Sequence, residues 1–313
     1  MDIKVGQKTG KVLKKSLLKD NAEYALLALP AVLLMIVFNY LPMFGIFIAF
    51  KDYRPWLGLF GSEWNGLENF RFFFGSLDAV RVIRNTLCYN IAFIILGVIF
   101  GVLLALMFYF LSSARLRKVY NMCVLIPKFM SMVLIAYIVQ ILLNPSNGVI
   151  NQILSAVGME KVQWYSEPKY WPFILTITHI WQTVGTGCIL YYATLMSIDD
   201  SLVEASQLDG AGVWARTIHI LIPHLKQIMI LNVILSLGTV FSGDFGLFYQ
   251  VPMDIGLLYP TTDIINTYTF RALQQGSLSK SAAVGLFQSV AGLIMIVSAN
   301  LIIRKISPED SLF

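Results

Sequence analysis

Apolar positions in this chain do not alternate with polar ones at the spacing of a soluble core. They come in runs of about twenty residues, the length that crosses a hydrocarbon layer roughly 30 Å thick. Such runs occupy 24–50, 86–111, 120–143, 171–195, 226–248 and 283–303. The connection at 112–119 is short, whereas 197–225 is long and polar at its start. The remaining connections, 51–84, 145–172 and 249–282, are also long and carry aromatic residues, Gly and Pro. The pattern predicts an all-α polytopic membrane protein with six transmembrane helices. One membrane domain at 24–303 would lie between a basic tail at 1–23 and a short tail at 304–313.

Composition sharpens this picture. Of 313 residues, 57% are hydrophobic and 13% charged, against about a quarter charged in a soluble domain. The net charge of +5 therefore describes membrane flanks and gives no reason to expect nucleic acid. Six lysines crowd the first 23 residues. Placing that tail in the cytoplasm puts Arg115, Arg117, Lys118, Arg216, Lys226, Arg304 and Lys305 on the same side, which agrees with the positive-inside tendency. Both termini and the 197–225 loop are then cytoplasmic. The first apolar run is too long for a secretory signal and has no small-residue cleavage site.

Motifs for covalent chemistry are absent from the sequence. Cys88, Cys123 and Cys188 sit singly in three apolar runs, and His179, His219 and His224 lack metal-ligand spacing. Residues 6–11 imitate a phosphate loop but are one residue short and are followed by Val12. No enzymatic activity and no bound metal are expected of this chain.

The 197–225 loop is patterned as two short helices. Asp200 and Ser201 offer N-cap side chains, and Ser201 with Glu204 has the capping-box spacing. Gly210 is placed to end that helix in a left-handed conformation. A second helical run, 213–221, is expected to end at Pro223.

Glu204-Ala205-Ser206, Gly210 and Ile220-Leu221-Ile222-Pro223 together resemble the cytoplasmic EAA loop of ABC importer membrane subunits, departing from it at Ser206 and Ile222. Asp209-Gly210-Ala211 is similar to the form usual in the sugar-importing branch. Gly66-Leu67-Glu68-Asn69-Phe70 and Asn85-Thr86 also resemble elements of sugar-type permeases. The resemblance implies a type I ABC importer permease fold in a plasma membrane, that of a Gram-positive bacterium. It implies half of a translocation pathway for a sugar or oligosaccharide of the polysaccharide-derived type, delivered by an extracytoplasmic binding protein. A second permease would complete the pore as a heterodimer. Two ATPase subunits, holding the ATP and Mg, would dock on Glu204, Ala205, Ser206, Asp209, Gly210, Ala211, Ile220 and Pro223; no cofactor is expected on this chain. A non-sugar cargo, or a stand-alone secondary transporter, is the alternative. The chain shows no inverted repeat and few intramembrane charges for ion coupling.

A pathway would leave polar and aromatic residues inside the spans, where they are costly unless they face a cavity. Amides such as Asn90, Gln140, Asn232 and Gln288 read first as bonds between helices. Trp181, Gln182, Phe241, Asp244 and Phe245 have the composition of a sugar path, with amide and carboxylate for hydroxyls and rings for CH faces. Asp244 is the one carboxylate inside the six expected spans.

Overall fold

The computed structural model describes residues 24–306; the basic tail with its 6–11 loop, and residues 307–313 of the C-terminal tail, lie outside them. The described chain is helical apart from connections and one two-residue ladder. In that ladder β1 (Lys51–Asp52) runs antiparallel to β2 (Glu63–Trp64), with Lys51 opposite Trp64.

Five helices are long and apolar enough to cross a membrane: α1 (Tyr24–Phe50), α3 (Leu77–Tyr109), α7 (Trp171–Leu195), α9 (Val213–Gly238) and α13 (Leu278–Ile306). Two further apolar helices, α4 (Ala114–Phe129) and α5 (Met132–Leu142), meet at a bend of 97°, the geometry of a broken span or a re-entrant loop. The shorter helices include α2 (Glu68–Phe74), α6 (Val149–Ala156), α8 (Asp200–Leu208), α10 (Phe245–Gln250), α11 (Tyr259–Thr262) and α12 (Ile265–Gln274).

The long helices α3 and α7 pack side by side as the spine of the bundle, α4 leans on α7, and α1 lies against α13. Between lipid-immersed helices, burying one apolar side chain against another gains little over lipid, so close contact is what holds spans together. Gly185 on α7 supplies such contact, because a Cβ there would run into the Val124 carbonyl of α4. At the end bearing the 197–225 loop, Phe108, Tyr191, Leu195, Leu221 and Leu225 form one core. At the opposite end Tyr89, Phe93, Trp171, Leu175, Phe248 and Ile264 form another.

The apolar runs at 24–50 and 171–195 coincide with α1 and α7, and the other four differ from the helices observed. α3 begins at Leu77, not 86, because the Ser76 hydroxyl caps it by accepting from the Ala79 amide. Its charged first turns are paired rather than lipid-facing, with Arg81 on Asp78 at 2.8 Å. The expected 120–143 span is two helices: Pro127 sits in the last turn of α4, and Ser131 starts α5 by accepting from the Leu134 amide. The expected 226–248 span starts thirteen residues earlier, at Val213, and stops at Gly238. Residues 239–244 are not helical, which removes Phe241 and Asp244 from the span, and Phe245 opens α10. α13 extends past 283–303 at both ends.

Candidate functional site

The loop at 197–225 forms a helix and a turn mounted on a helical stem. α8 does not use the Ser201–Glu204 box; its cap is Asp199, whose carboxylate accepts from the Ser201 amide at 2.9 Å. The charged acceptor one turn-position earlier takes the free amide first, and that bond holds the Asp199 pKa below the ordinary carboxylate value. Gly210 has φ of +79°, the left-handed region where a side chain is strained. The Ala211 amide beyond it returns to the Ser206 carbonyl at 2.9 Å, a Schellman-type closure.

Pro223 does not end the second helix. Residues Thr217–Leu221 form a π turn, with the Ile222 amide bonded five residues back to Thr217, and α-helix resumes at Ile222. Widening the turn accommodates a residue without an amide, so loop and span are one rod from Val213 to Gly238. The Nδ1 atoms of His219 and His224 face the carbonyls of Ala215 and Ile220 at 3.0 and 2.8 Å, which makes each nitrogen the donor.

Of the eight residues expected in this loop, Glu204, Ala205, Asp209, Gly210 and Pro223 are exposed; Ser206, Ala211 and Ile220 are half-buried. Ile220, Leu221, Ile198 and Val203 seat the loop's base in the core formed with Phe108, Tyr191 and Leu195. The tip carries what the motif did not single out. Leu208 is 90% exposed and Trp214 80% exposed, in a polar segment beyond the membrane-spanning runs. Two large apolar side chains in a loop of that kind were a readable signal.

At mid-span, a cavity of about 250 Å³ opens between α3, α7 and α9, lined by Phe93, Gly97, Thr183, Thr186, Asn232 and Ser236 among others. The Asn232 amide donates to the Tyr191 hydroxyl at 3.0 Å, which fixes the amide and leaves its carbonyl oxygen for a ligand. His179, outside the lining, stacks on Phe93 with ring centroids 3.8 Å apart. None of the five residues expected on a pathway lines this cavity. Gln182 is buried on the interior stripe of α7, and Trp181 points away from it, 42% exposed beside Phe173 and Ile177. Asp244 is the N-cap of α10, accepting from the Leu247 amide at 3.1 Å. Phe241 meets the Phe287 ring edge-on, and Phe245 stacks on Tyr249.

The break after α9 is closed by side chains. Asn90 donates to the Val240 carbonyl at 2.8 Å, and Gln288 to the Phe241 carbonyl at 2.8 Å. The Asn266 carbonyl oxygen accepts from the Gly243 amide at 3.1 Å and from Gln288 at 2.8 Å. Irregular backbone at membrane depth has to be satisfied within the protein, so these amides are spent on the break.

The end away from the loop is clamped by ions. Asp263 is fully buried, bonded to Arg81 at 3.0 Å, to Arg271 and to Thr267. Arg271 also reaches Asp254 at 3.0 Å and lies over the Tyr259 ring. Burial works against the Arg271 charge, but Asp263 and Asp254 outweigh it and hold its pKa above the ordinary arginine value. Asn69 donates to the carbonyls of Ala49 and Lys51, and Asn85 to those of Pro260 and Asp263. These two asparagines, singled out in sequence by resemblance, are clamps for the loops.

Comparison with known proteins fits this geometry. Residues 97–308 match the family described as "Binding-protein-dependent transport system inner membrane component". Protein LplB of Bacillus subtilis (strain 168) is 33% identical over 93% of this chain and 92% of its own length. The polygalacturonan/rhamnogalacturonan transport system permease protein YteP of the same organism is 32% identical, over 91% of this chain and 88% of its own. The solved structure of a bacterial alginate ABC transporter, in complex with an alginate pentasaccharide-bound periplasmic protein, superposes with a TM-score of 0.84 at 31% identity. That match covers 94% of this chain and 97% of the other. The chain belongs to the family of binding-protein-dependent transport system inner membrane components, as a permease of the carbohydrate-importing kind.

Proposed function

We propose that this chain is one half of the membrane pore of an ATP-driven oligosaccharide importer, and that 197–225 is its coupling loop. A second, non-identical permease completes the pore. Two ATPase subunits bind on the cytoplasmic side, supplying ATP and Mg, and a binding protein delivers cargo at the opposite face. Both termini are cytoplasmic, and the membrane is that of a Gram-positive cell. The observation that carries the reading is the exposed Leu208 and Trp214 on a loop whose base is buried against α3 and α7. Exposed apolar anchors on a rigid mount are what a docking contact needs.

Glu204, Ala205, Ser206, Asp209, Gly210 and Ala211 shape that contact, and Ile220 and Pro223 join it to the rod of α9. When the ATPases close on ATP, the loop is displaced and the continuous α9 carries the displacement to the mid-span cavity. Coupling of this kind requires an element whose two positions differ in contacts with the partner. The cavity, with Thr183, Thr186, Asn232 and Ser236 offering hydroxyls and an amide, is the part of the path on this chain. Trp181, on the outward face of α7, sits where the second permease would meet it. The relatives' substrates, polygalacturonan and alginate, are acidic polysaccharides, and a fragment of such a polymer is the cargo class proposed.

The test is to exchange Leu208→Asp or Gly210→Val in the tagged importer. The first should abolish co-purification of the ATPase subunits. The second should leave the subunits bound but lower uptake per ATP hydrolysed. Full uptake by both variants would rule out this loop as the coupling element.

A further inference from the structure

A second cavity lies between α5 and α10, at the end of the bundle opposite the 197–225 loop. Its volume is about 200 Å³, and Tyr137, Gln140, Tyr249, Gln250 and Asp254 line it, over an apolar floor that includes Val133 and Ala136. Among the described residues, the hydroxyls of Tyr137 and Tyr249 and the side-chain amides of Gln140 and Gln250 make no hydrogen bond to protein. The half-buried Asn90, Asn266 and Gln288, by contrast, are each spent on protein partners. All four are exposed or half-buried, so their donors and acceptors are open to exchange water for a polar occupant of the hollow.

The hollow is also held open. Met253 and Asp254 both have positive φ, at +57° and +47°, a conformation uncommon for residues other than glycine. Arg271 and the Tyr259 hydroxyl each bond one Asp254 oxygen at 3.0 Å and fix that turn. With Arg271 beside it, the Asp254 carboxylate presents a largely neutralised acceptor. Tyr249 is braced by stacking on Phe245 at 4.9 Å and by the edge of Phe270. Tyr137 makes no ring contact among the described residues and is 59% exposed, leaving a face open.

Two aromatic rings, two amides and a neutralised carboxylate match one sugar ring, whose CH face packs on aromatics and whose hydroxyls both donate and accept. The volume is below the roughly 300–1,000 Å³ that encloses a drug-sized ligand, so the hollow fits one unit of a chain. Phe93, which lines the mid-span cavity, and Phe248 of α10, the helix that walls this one, have ring centroids 6.2 Å apart. We infer that the α5–α10 cavity is a second saccharide subsite, which holds one ring of an oligosaccharide while another part of the chain enters the mid-span cavity. This rests on the importer reading and adds a preference for chain length to it.

The assay is uptake of oligogalacturonides (dimer, trimer and pentamer) by cells in which the complete importer is the only route. A Tyr137→Ala, Gln140→Ala double variant should raise the half-saturating pentamer concentration about tenfold, the effect of losing roughly 1.4 kcal/mol, with the dimer shifted far less. Equal shifts for dimer and pentamer, or none, overturn the subsite. So does loss of the second permease on co-purification, which would make the hollow a subunit seam. If the wild-type importer takes up no oligogalacturonide, the ladder is repeated with alginate- and starch-derived oligosaccharides. Uptake of none of the three removes the sugar-importer reading and the subsite together, whereas wild-type uptake with an unchanged double variant removes the subsite alone.

Discussion

The two ends of α9 solve opposite problems. At the loop end the helix passes a proline and stays whole, because the π turn at Thr217–Leu221 absorbs the missing amide at Pro223. At the other end it stops at Gly238 with no proline at all, and the open backbone of 239–244 is caught by Asn90, Gln288 and Asn266. Continuity at the first end suits a lever that must move as one piece. Opening at the second suits a place where the chain has to bend around a cavity, its polar groups held by side chains from three other helices. Local sequence thus misleads at both ends, since the proline is not a stop and the apolar run past 238 is not a helix.

The comparison is broken most severely beyond the open end. Asp263→Ala would remove the buried carboxylate that Arg81 and Arg271 share, leaving these half-buried arginines with Asp78 and Asp254 alone. Losing one member of a fully buried ion pair costs about 3–5 kcal/mol, the upper bound for a cluster whose arginines keep other partners. Thermal unfolding of the detergent-solubilised chain should show a large drop in midpoint. An unchanged midpoint would mean the cluster is solvated, not clamped.

At the loop end the corresponding loss should appear in binding and not in folding. Trp214→Ala removes an exposed anchor, and truncating a hot-spot residue costs about 2–4 kcal/mol of association. The affinity of the isolated ATPase subunits for the permease pair should fall accordingly, with the unfolding midpoint untouched. If both fell together, Trp214 would be part of the fold, not of a contact.

Between these lies Asn266→Leu, which strips the acceptor from Gly243 and Gln288 at once. Fully buried donors left unsatisfied cost about 1–3 kcal/mol, an upper bound for these half-buried ones, of which Gln288 keeps the Phe241 carbonyl. The midpoint should fall by less than for Asp263→Ala. Asn90→Leu should fall by less again, because it frees only the Val240 carbonyl. Reversal of that order would show that the break is held elsewhere.

How much of this could be read beforehand follows from how far apart the determinants are in sequence. The helix and turn of the 197–225 loop were legible because their determinants, from Asp199 to Gly210, lie close together in sequence. Gly210 takes the left-handed conformation expected of it for a purely local reason. The break was not legible as a site, because its partners come from positions 90, 266 and 288. One local signal was present all the same: Ser242-Gly243-Asp244 is a helix-start sequence inside an apolar run, and Asp244 does cap α10. Reading Asp244 as an intramembrane carboxylate overlooked that cap. The mid-span cavity was not visible: Asn232 reads first as a bond between helices, and Thr183 and Thr186 gave no warning because a threonine in a span can bond its own helix, as Thr183 does to His179.

The smallest expected effect tests the local chemistry of the lever's tip. Asp199 starts α8 by accepting the Ser201 amide, and that bond favours the ionised carboxylate, so its pKa lies below the ordinary value. A group with a depressed folded-state pKa contributes stability above its unfolded value, and the contribution is lost as pH falls through the folded one. Amide exchange at Ser201, Leu202 and Val203, taken as the ratio of variant to wild type at each pH, reports the cap directly. Asp199→Ala should exchange faster near pH ~5, and the difference should shrink towards pH ~3 as the wild-type carboxylate, with an unfolded pKa of about 3.9, protonates. Asp199→Asn, whose amide oxygen also caps, should stay near wild type at the higher pH and lose the pH dependence. Were Ala and wild type to exchange alike at the higher pH, α8 would be held by its base, at Ile198 and Val203, and its first turn would contribute nothing to the shape presented to a partner.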